Sequence, residues 1–178
     1  MVSENLDIRS GGQDNEGTAI VLLLCGLVGA QDRSSCPMHK RNSEHQLEVE
    51  KHGDEAMGFP HDKTTHHFRL STDGGSIEVT VNDPKDTQDL TAIRGHLQHI
   101  AVMFSNGDFS VPMFIHSEVP PGVQEMKDRR ADITYSFEEM PGGGRVRIAT
   151  VNRDALNAVH DFLIFQIRDH HTGDAEHL

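Results

Sequence analysis

The chain has 178 residues and a mass of 19.8 kDa, room for one ordinary domain plus a tail. Lys and Arg number 16 against 28 Asp and Glu, giving a formal charge of −12 with no basic run to offset it. That argues against a nucleic-acid-binding face, which works by displacing counterions from phosphate. Two cysteines cannot build a disulfide framework, and no Trp with a single Tyr argues against an aromatic cage or stacking platform. Apolar residues make up 35%, so part of the chain is expected to lie outside any packed core, and the unusual counts are 13 His and 7 Met.

The longest apolar run, Thr18–Ala30 (TAIVLLLCGLVGA), is shorter than the about 20 residues that span a bilayer. It suits the apolar region of a signal peptide, with Val28 and Ala30 at the −3 and −1 positions before Gln31. The segment ahead of it departs from that pattern, since Arg9 stands against Glu4, Asp7, Asp14 and Glu16. The alternative is a buried strand or helix of the fold. Residues 1–30 are read as a signal peptide and the protein as periplasmic or secreted, with no stable membrane span after removal. Residues 31–62 are polar and without hydrophobic periodicity, which reads as a flexible His/Met-rich tail.

From Lys63 the pattern changes. Thr64–Ser71 alternates, Asp73-Gly74-Gly75 signals a turn, and Ser76–Asn82 alternates again, which predicts a β-hairpin. Asp83-Pro84 opens a helix to about Ser105 with Leu90, Ile93, Leu97, Ile100, Ala101 and Phe104 at helical spacing, ended by Asn106-Gly107. Residues 109–130 read as a Pro-rich connector. Strands over Asp132–Glu138 and Arg145–Val151 follow, then a helix to about His171, with Asn152 and Asp154 as candidate N-caps. The second half (GGRVRIATVNR…AVHDFLIFQIRDHHTGD) lies on the first (GGSIEVTVND…AIRGHLQHIAVMFSNGD) with one three-residue gap, so that Leu97 maps to Leu163. The expected fold is α+β: a duplicated ββα unit (63–108 and 131–174 within a 63–174 domain) forming a four-stranded antiparallel sheet with two helices on one face. The open face offers a surface for a homodimer.

The repeats differ where chemistry could sit. At about 100° per residue, His96, His99 and Met103 fall within roughly 60° of one another on the first helix, and their counterparts are Phe162, Phe165 and Asp169. Imidazoles at i and i+3 can share an ion, and a thioether favours copper over magnesium or calcium. His67 faces outward on the first strand; His66 faces inward and reads as a buried neutral imidazole bonded to the backbone. Met113 and His116 lie on the connector, placed to complete an ion site. His160, His170 and His171 read as solvent-facing or helix-terminal. In the tail, Cys36, Met38 and His39 combine thiolate, thioether and imidazole, and the CPMH string resembles short heavy-metal-binding segments of copper-handling proteins.

Met57-Gly58-Phe59, Lys63–Phe68 (KTTHHF), His96–Ala101 (HLQHIA), Val119–Gly122 (VPPG) and Phe165–Arg168 (FQIR) give the chain from Ala56 onward a resemblance to an uncharacterised family of exported bacterial proteins. That resemblance implies no established activity. Relatives sometimes carry the label aspartate carbamoyltransferase, but a site of that type needs an S-T-R-T string opening a helix, and this chain has none. GxSxG, HExxH, P-loop, GxGxxG and CxxCH are absent as well. The leading expectation is a transition-metal protein, copper above all, acting in binding or trafficking. The first alternative is a haem protein or an open-site metal enzyme, with His96 or His99 as axial ligand and Phe162 and Phe165 as apolar walls. The second is a metal-free dimeric interaction module.

Overall fold

A computed structural model describes residues 37–178, with side chains from residue 43 onward. The signal-peptide reading of 1–30 and the candidate ligand Cys36 lie outside the described residues. Met38 and His39 fall on described backbone only.

The ββα pattern is present twice. Strands β1 (Thr64–Ser71) and β2 (Gly74–Val81) lead to α2 (Thr87–Ser105); β3 (Ile133–Met140) and β4 (Gly143–Thr150) lead to α5 (Arg153–Asp169). The hairpins join through their second strands into one antiparallel sheet of order β1-β2-β4-β3, with Ile77 opposite Val146 and Gly75 opposite Ile148. Phe68, Val79, Val81, Ile133, Tyr135, Val146 and Ile148 face the two helices and are buried, as the strand alternation predicts. Each helix lies mainly over the other unit's hairpin, α2 on β3 and β4, α5 on β1 and β2. Neither unit therefore owns a complete core. Phe104 on α2 meets Phe162 on α5 edge-on, with ring centroids 6.0 Å apart. Gly75 permits the close approach of α5, since a Cβ there would strike the Leu163 side chain.

The helix boundaries have local causes. Asp86, rather than Asp83-Pro84, caps α2: its side chain accepts from Asp89 N–H, while Asp83 closes the preceding turn. Asn152 caps α5 as predicted, accepting from the N–H groups of Asp154 and Ala155. At the C-terminus of α2, Gly107 (φ 76°) occupies the left-handed position of a Schellman motif, with Gly107 N–H bonded to Phe104 O and Asp108 N–H to Met103 O. The second helix ends two residues earlier than the repeat alignment implies. The same motif there is built on His171 (φ 52°), through His171 N–H to Arg168 O and Thr172 N–H to Ile167 O.

Two expectations are corrected. The tail is helical over α1 (Pro37–Met57), which docks beside α3. Its inward stripe is Val49 and Gly53, buried, and Met57, half-buried, at i+4 spacing, too narrow and too poor in large apolar residues to register as periodicity. The connector holds two short helices, α3 (Ser110–His116) and α4 (Val123–Asp128), which bury Ile115, His116, Val123 and Met126. No helix among the described residues is long and apolar enough to cross a membrane.

Candidate functional site: a histidine-lined cavity

β1 is an edge strand, and its start separates two neighbouring histidines onto opposite faces of the sheet. His66 pairs with Val79 on the helix-covered side, and His67 pairs with Glu78 on the open side. Between this strand and α1 lies a partly open cavity of about 270 Å³, lined by His61, His66, His67 and His170 together with Glu50, Gly53 and Met57 of α1. On the core side of His66 and His170 a second chamber of about 60 Å³ reaches inward to His96, Leu97, Phe104 and Phe162. Met57, His66 and His170 line both spaces.

The cavity imidazoles fall into two kinds. His66, His96 and His170 are held neutral. Burial lowers the His66 pKa from 6.5 to about 4, with the nearby His96, His61 and His67 adding to the shift. Burial likewise brings His96 to about 4, helped by His99, and His170 to about 3, helped by His116 and His66. The Nε2 of His66 is buried with no hydrogen-bond partner, rather than bonded to backbone as expected. The rings of His66 and His170 lie parallel within 5°, with centroids 6.1 Å apart. His96 meets Phe59 edge-on at 5.8 Å.

His61 and His67 are instead oriented by carboxylates. His67 Nδ1 donates to Asp174 Oδ1 at 2.9 Å, which leaves the lone pair on Nε2. The other Asp174 oxygen accepts Phe68 N–H at 3.0 Å, so the C-terminal segment closes part of the β1 edge. Burial pushes the Asp174 carboxyl up; hydrogen bonds from Phe68 N–H, Thr172 and His67 outweigh it and leave the group below the ordinary carboxylate range. His61 Nδ1 lies 2.9 Å from Asp54 Oδ1, and its Nε2 lies 3.7 Å from Glu50. A carboxylate behind an imidazole fixes its tautomer and ring orientation.

The α2 stripe does not stay together. Its buried face is centred near Ile93, Ile100 and Phe104. At about 100° per residue His96 sits roughly 70° from that centre and turns into the chamber, whereas His99 sits roughly 130° away and is exposed. Met103 is half-buried against the core. Met113 lines a separate surface hollow with His52, Phe114 and Val119. His116 is fully buried, but both its nitrogens are engaged: Nδ1 with Asp169 Oδ2 at 2.5 Å and Nε2 with Gln166 Oε1 at 2.9 Å. Both bonds would have to be given up before it could hold an ion. The second Asp169 oxygen accepts from His45 Nε2 of α1 at 2.9 Å, so one carboxylate ties α1, α3 and α5 together. Phe162 lies in the core and lines the inner chamber opposite His96; Phe165 packs edge-on against His116 at 4.9 Å.

Of the three histidines expected to be solvent-facing or helix-terminal, two are partly covered. His170 is half-buried, with its ring stacked on Phe68 at 5.4 Å. His160 is half-buried, and its Nε2 lies between the carbonyls of Ser71 at 2.9 Å and Gly74 at 3.0 Å, fastening the β1–β2 turn. Only His171 of the three is exposed. The signal for His66 was legible in the inward alternation of TTHHF. Nothing in the sequence pairs it with His170, which lies 104 positions away.

Among the described residues, no three His, Cys, Asp or Glu side chains converge as a preformed ion cage. The donors surround the cavity and do not meet at a point. No family model, curated protein or solved structure matches the chain.

Proposed function

We propose that the protein binds a transition-metal ion in the cavity beneath α1, through the imidazoles of His61, His66, His67 and His170, and serves in metal binding or trafficking. The observation that carries this reading is the gathering of four imidazoles from three parts of the chain on one solvent-connected cavity. Two of them have an outer nitrogen oriented by a carboxylate, and a third has a buried nitrogen without a partner. Neutral imidazole is the ligating form, and burial keeps His66 and His170 in it at neutral pH. Binding would draw the donors inward from their positions around the cavity. The net charge of −12 favours cation approach. The inner chamber, about 60 Å³, is far below the about 300 Å³ at which small-molecule sites begin, which argues against haem between His96 and Phe162. The signal-like 18–30 run makes an exported protein part of the same proposal.

Equilibrium titration with cobalt(II), read by its visible absorption, and with zinc(II) by competition tests the reading. The wild type should bind both. The His66→Gln/His170→Gln double variant should lose affinity for both, while His99→Ala should leave it intact. Unchanged affinity in the folded double variant would rule the cavity out.

A further inference from the structure

We propose that the inner chamber is a binding site for a small uncharged molecule of two or three heavy atoms, which accepts a hydrogen bond from the side-chain amide of Gln166 and makes its second polar contact at His66 Nε2. The proposal does not rest on the ion reading, since Gln166 and His96 line the chamber and not the outer cavity.

The lining sets the charge of the ligand. Among the described residues no Asp, Glu, Lys or Arg side chain lines the chamber, and its three imidazoles, His66, His96 and His170, are held neutral by burial. Apart from these and Gln166 the wall is apolar, with Leu97, Ile100, Phe104 and Phe162 in it. An ion entering here would shed its water with no opposite charge to receive it. The volume sets the size. A dry apolar cavity of about 150 Å³ takes benzene, with its six heavy atoms. In proportion, a chamber of about 60 Å³ takes two or three.

Two buried atoms set the polar contacts. Gln166 is 4% exposed. Its Oε1 is engaged by His116 Nε2 at 2.9 Å, while its Nε2 is buried without a partner. His66 Nε2 is likewise buried and unpartnered. A buried donor left without an acceptor costs stability, which an acceptor on a ligand restores. An amide nitrogen only donates, whereas a neutral imidazole nitrogen donates or accepts according to its tautomer. The molecule therefore needs an acceptor for Gln166 and either role for His66, and a one-carbon amide or alcohol has both. The outer cavity gives the path in, since Met57, His66 and His170 line both spaces.

Formamide is the probe, and formate, its charged counterpart of the same size, is the control. Each is titrated into the full chain at pH 7 with EDTA present, which keeps ions off His66. Methyl NMR follows Ile77, Leu97, Ile100 and Ile115 on the chamber wall, with exposed Val102 and Val151 as references. Formamide should shift the chamber methyls to saturation with a Kd of about 1 mM or weaker, the range open to three heavy atoms. Formate should give no saturable shift, and the two exposed valines should respond to neither. Gln166→Leu removes the donor. Val111→Leu, at a half-buried wall residue, fills space and leaves the donor in place. Each should weaken formamide binding about tenfold. Shifts that never saturate, as in a chamber that holds water only, overturn the proposal. So does saturation by formate at equal strength. So does unaltered affinity in folded Val111→Leu, which decides the matter if Gln166→Leu does not fold. Zinc binding that depends on His66 and His170 is read separately, so the ion reading survives each of these failures.

Discussion

His66, His96 and His170 give the stability of the fold a pH dependence. Each has a folded-state pKa depressed from 6.5, to about 4, 4 and 3 in turn, chiefly by burial. The unfolded chain therefore takes up protons first as pH falls. The stability these neutral imidazoles retain is full above pH 6.5 and is lost between 6.5 and the folded values. One such group is worth on the order of 3 kcal/mol when the window is fully crossed. Thermal melts should show a flat Tm above pH 7 and a steep fall from 6.5 to 4, and the His66→Gln/His170→Gln variant should fall less. Equal slopes would show that these rings do not carry the dependence. His171 supports a second residue-scale prediction. A left-handed conformation costs a non-glycine residue roughly 1–2 kcal/mol, and the same motif on α2 uses Gly107. His171→Gly should raise the melting temperature, and a drop would mean that the exposed ring makes a contact of its own.

At the scale of elements, the strands and the two long helices were legible because their apolar residues repeat with clean periods of two and of about 3.6. Helix α1 was not, because its inward stripe is Val49, Gly53 and a half-buried Met57, too few large apolar side chains to show a period. It is secured instead by polar links: His45 to Asp169, Asp54 to His61, and the ring of His52 against Phe114 at 4.7 Å. Such long-range pairs leave no periodic trace. The candidate site suffered the same way. Angular proximity on a single helix groups His96 with His99. The fold separates them and assembles the cavity from residues distant in sequence. Asp169 is the joint most exposed to test. Burial raises its carboxyl, and the bonds from His45 and His116 outweigh that and hold the group below its ordinary range. Asp169→Asn should loosen α1 and α3 together while the sheet stays closed. Amide exchange should quicken across 37–57 and 110–116, with little change in β2 and β4. Unaltered protection of α1 would show that Val49 and the other apolar contacts hold it unaided.

Among the described residues the exchanged helices make the two ββα halves depend on each other. Because α2 covers β3–β4 and α5 covers β1–β2, neither ββα half keeps its core if the other opens. The duplication legible in the sequence therefore does not yield two independent units. Phe104, stacked on Phe109 at 4.3 Å and edge-on to Phe162 and Tyr135, sits where the two halves meet. Phe104→Ala should cost about 3–5 kcal/mol. The loss should appear as one transition by far-ultraviolet circular dichroism and by the fluorescence of Tyr135, the only tyrosine. Two separated transitions would show that the halves fold independently. The open face of the sheet is polar: Arg69 faces Glu78, and Arg145 reaches both Glu78 and Glu138, so side chains of all four strands are joined across it.

The claim on which the account turns is that the cavity under α1 holds a metal ion. Elemental analysis of tag-free protein, after dialysis against copper and zinc and removal of unbound ion, tests it most directly. The prediction is a single bound ion per chain in the wild type and in His99→Ala, and its loss from His66→Gln/His170→Gln. A wild-type protein that emerges free of metal, or a double variant that keeps its full complement, would contradict the account.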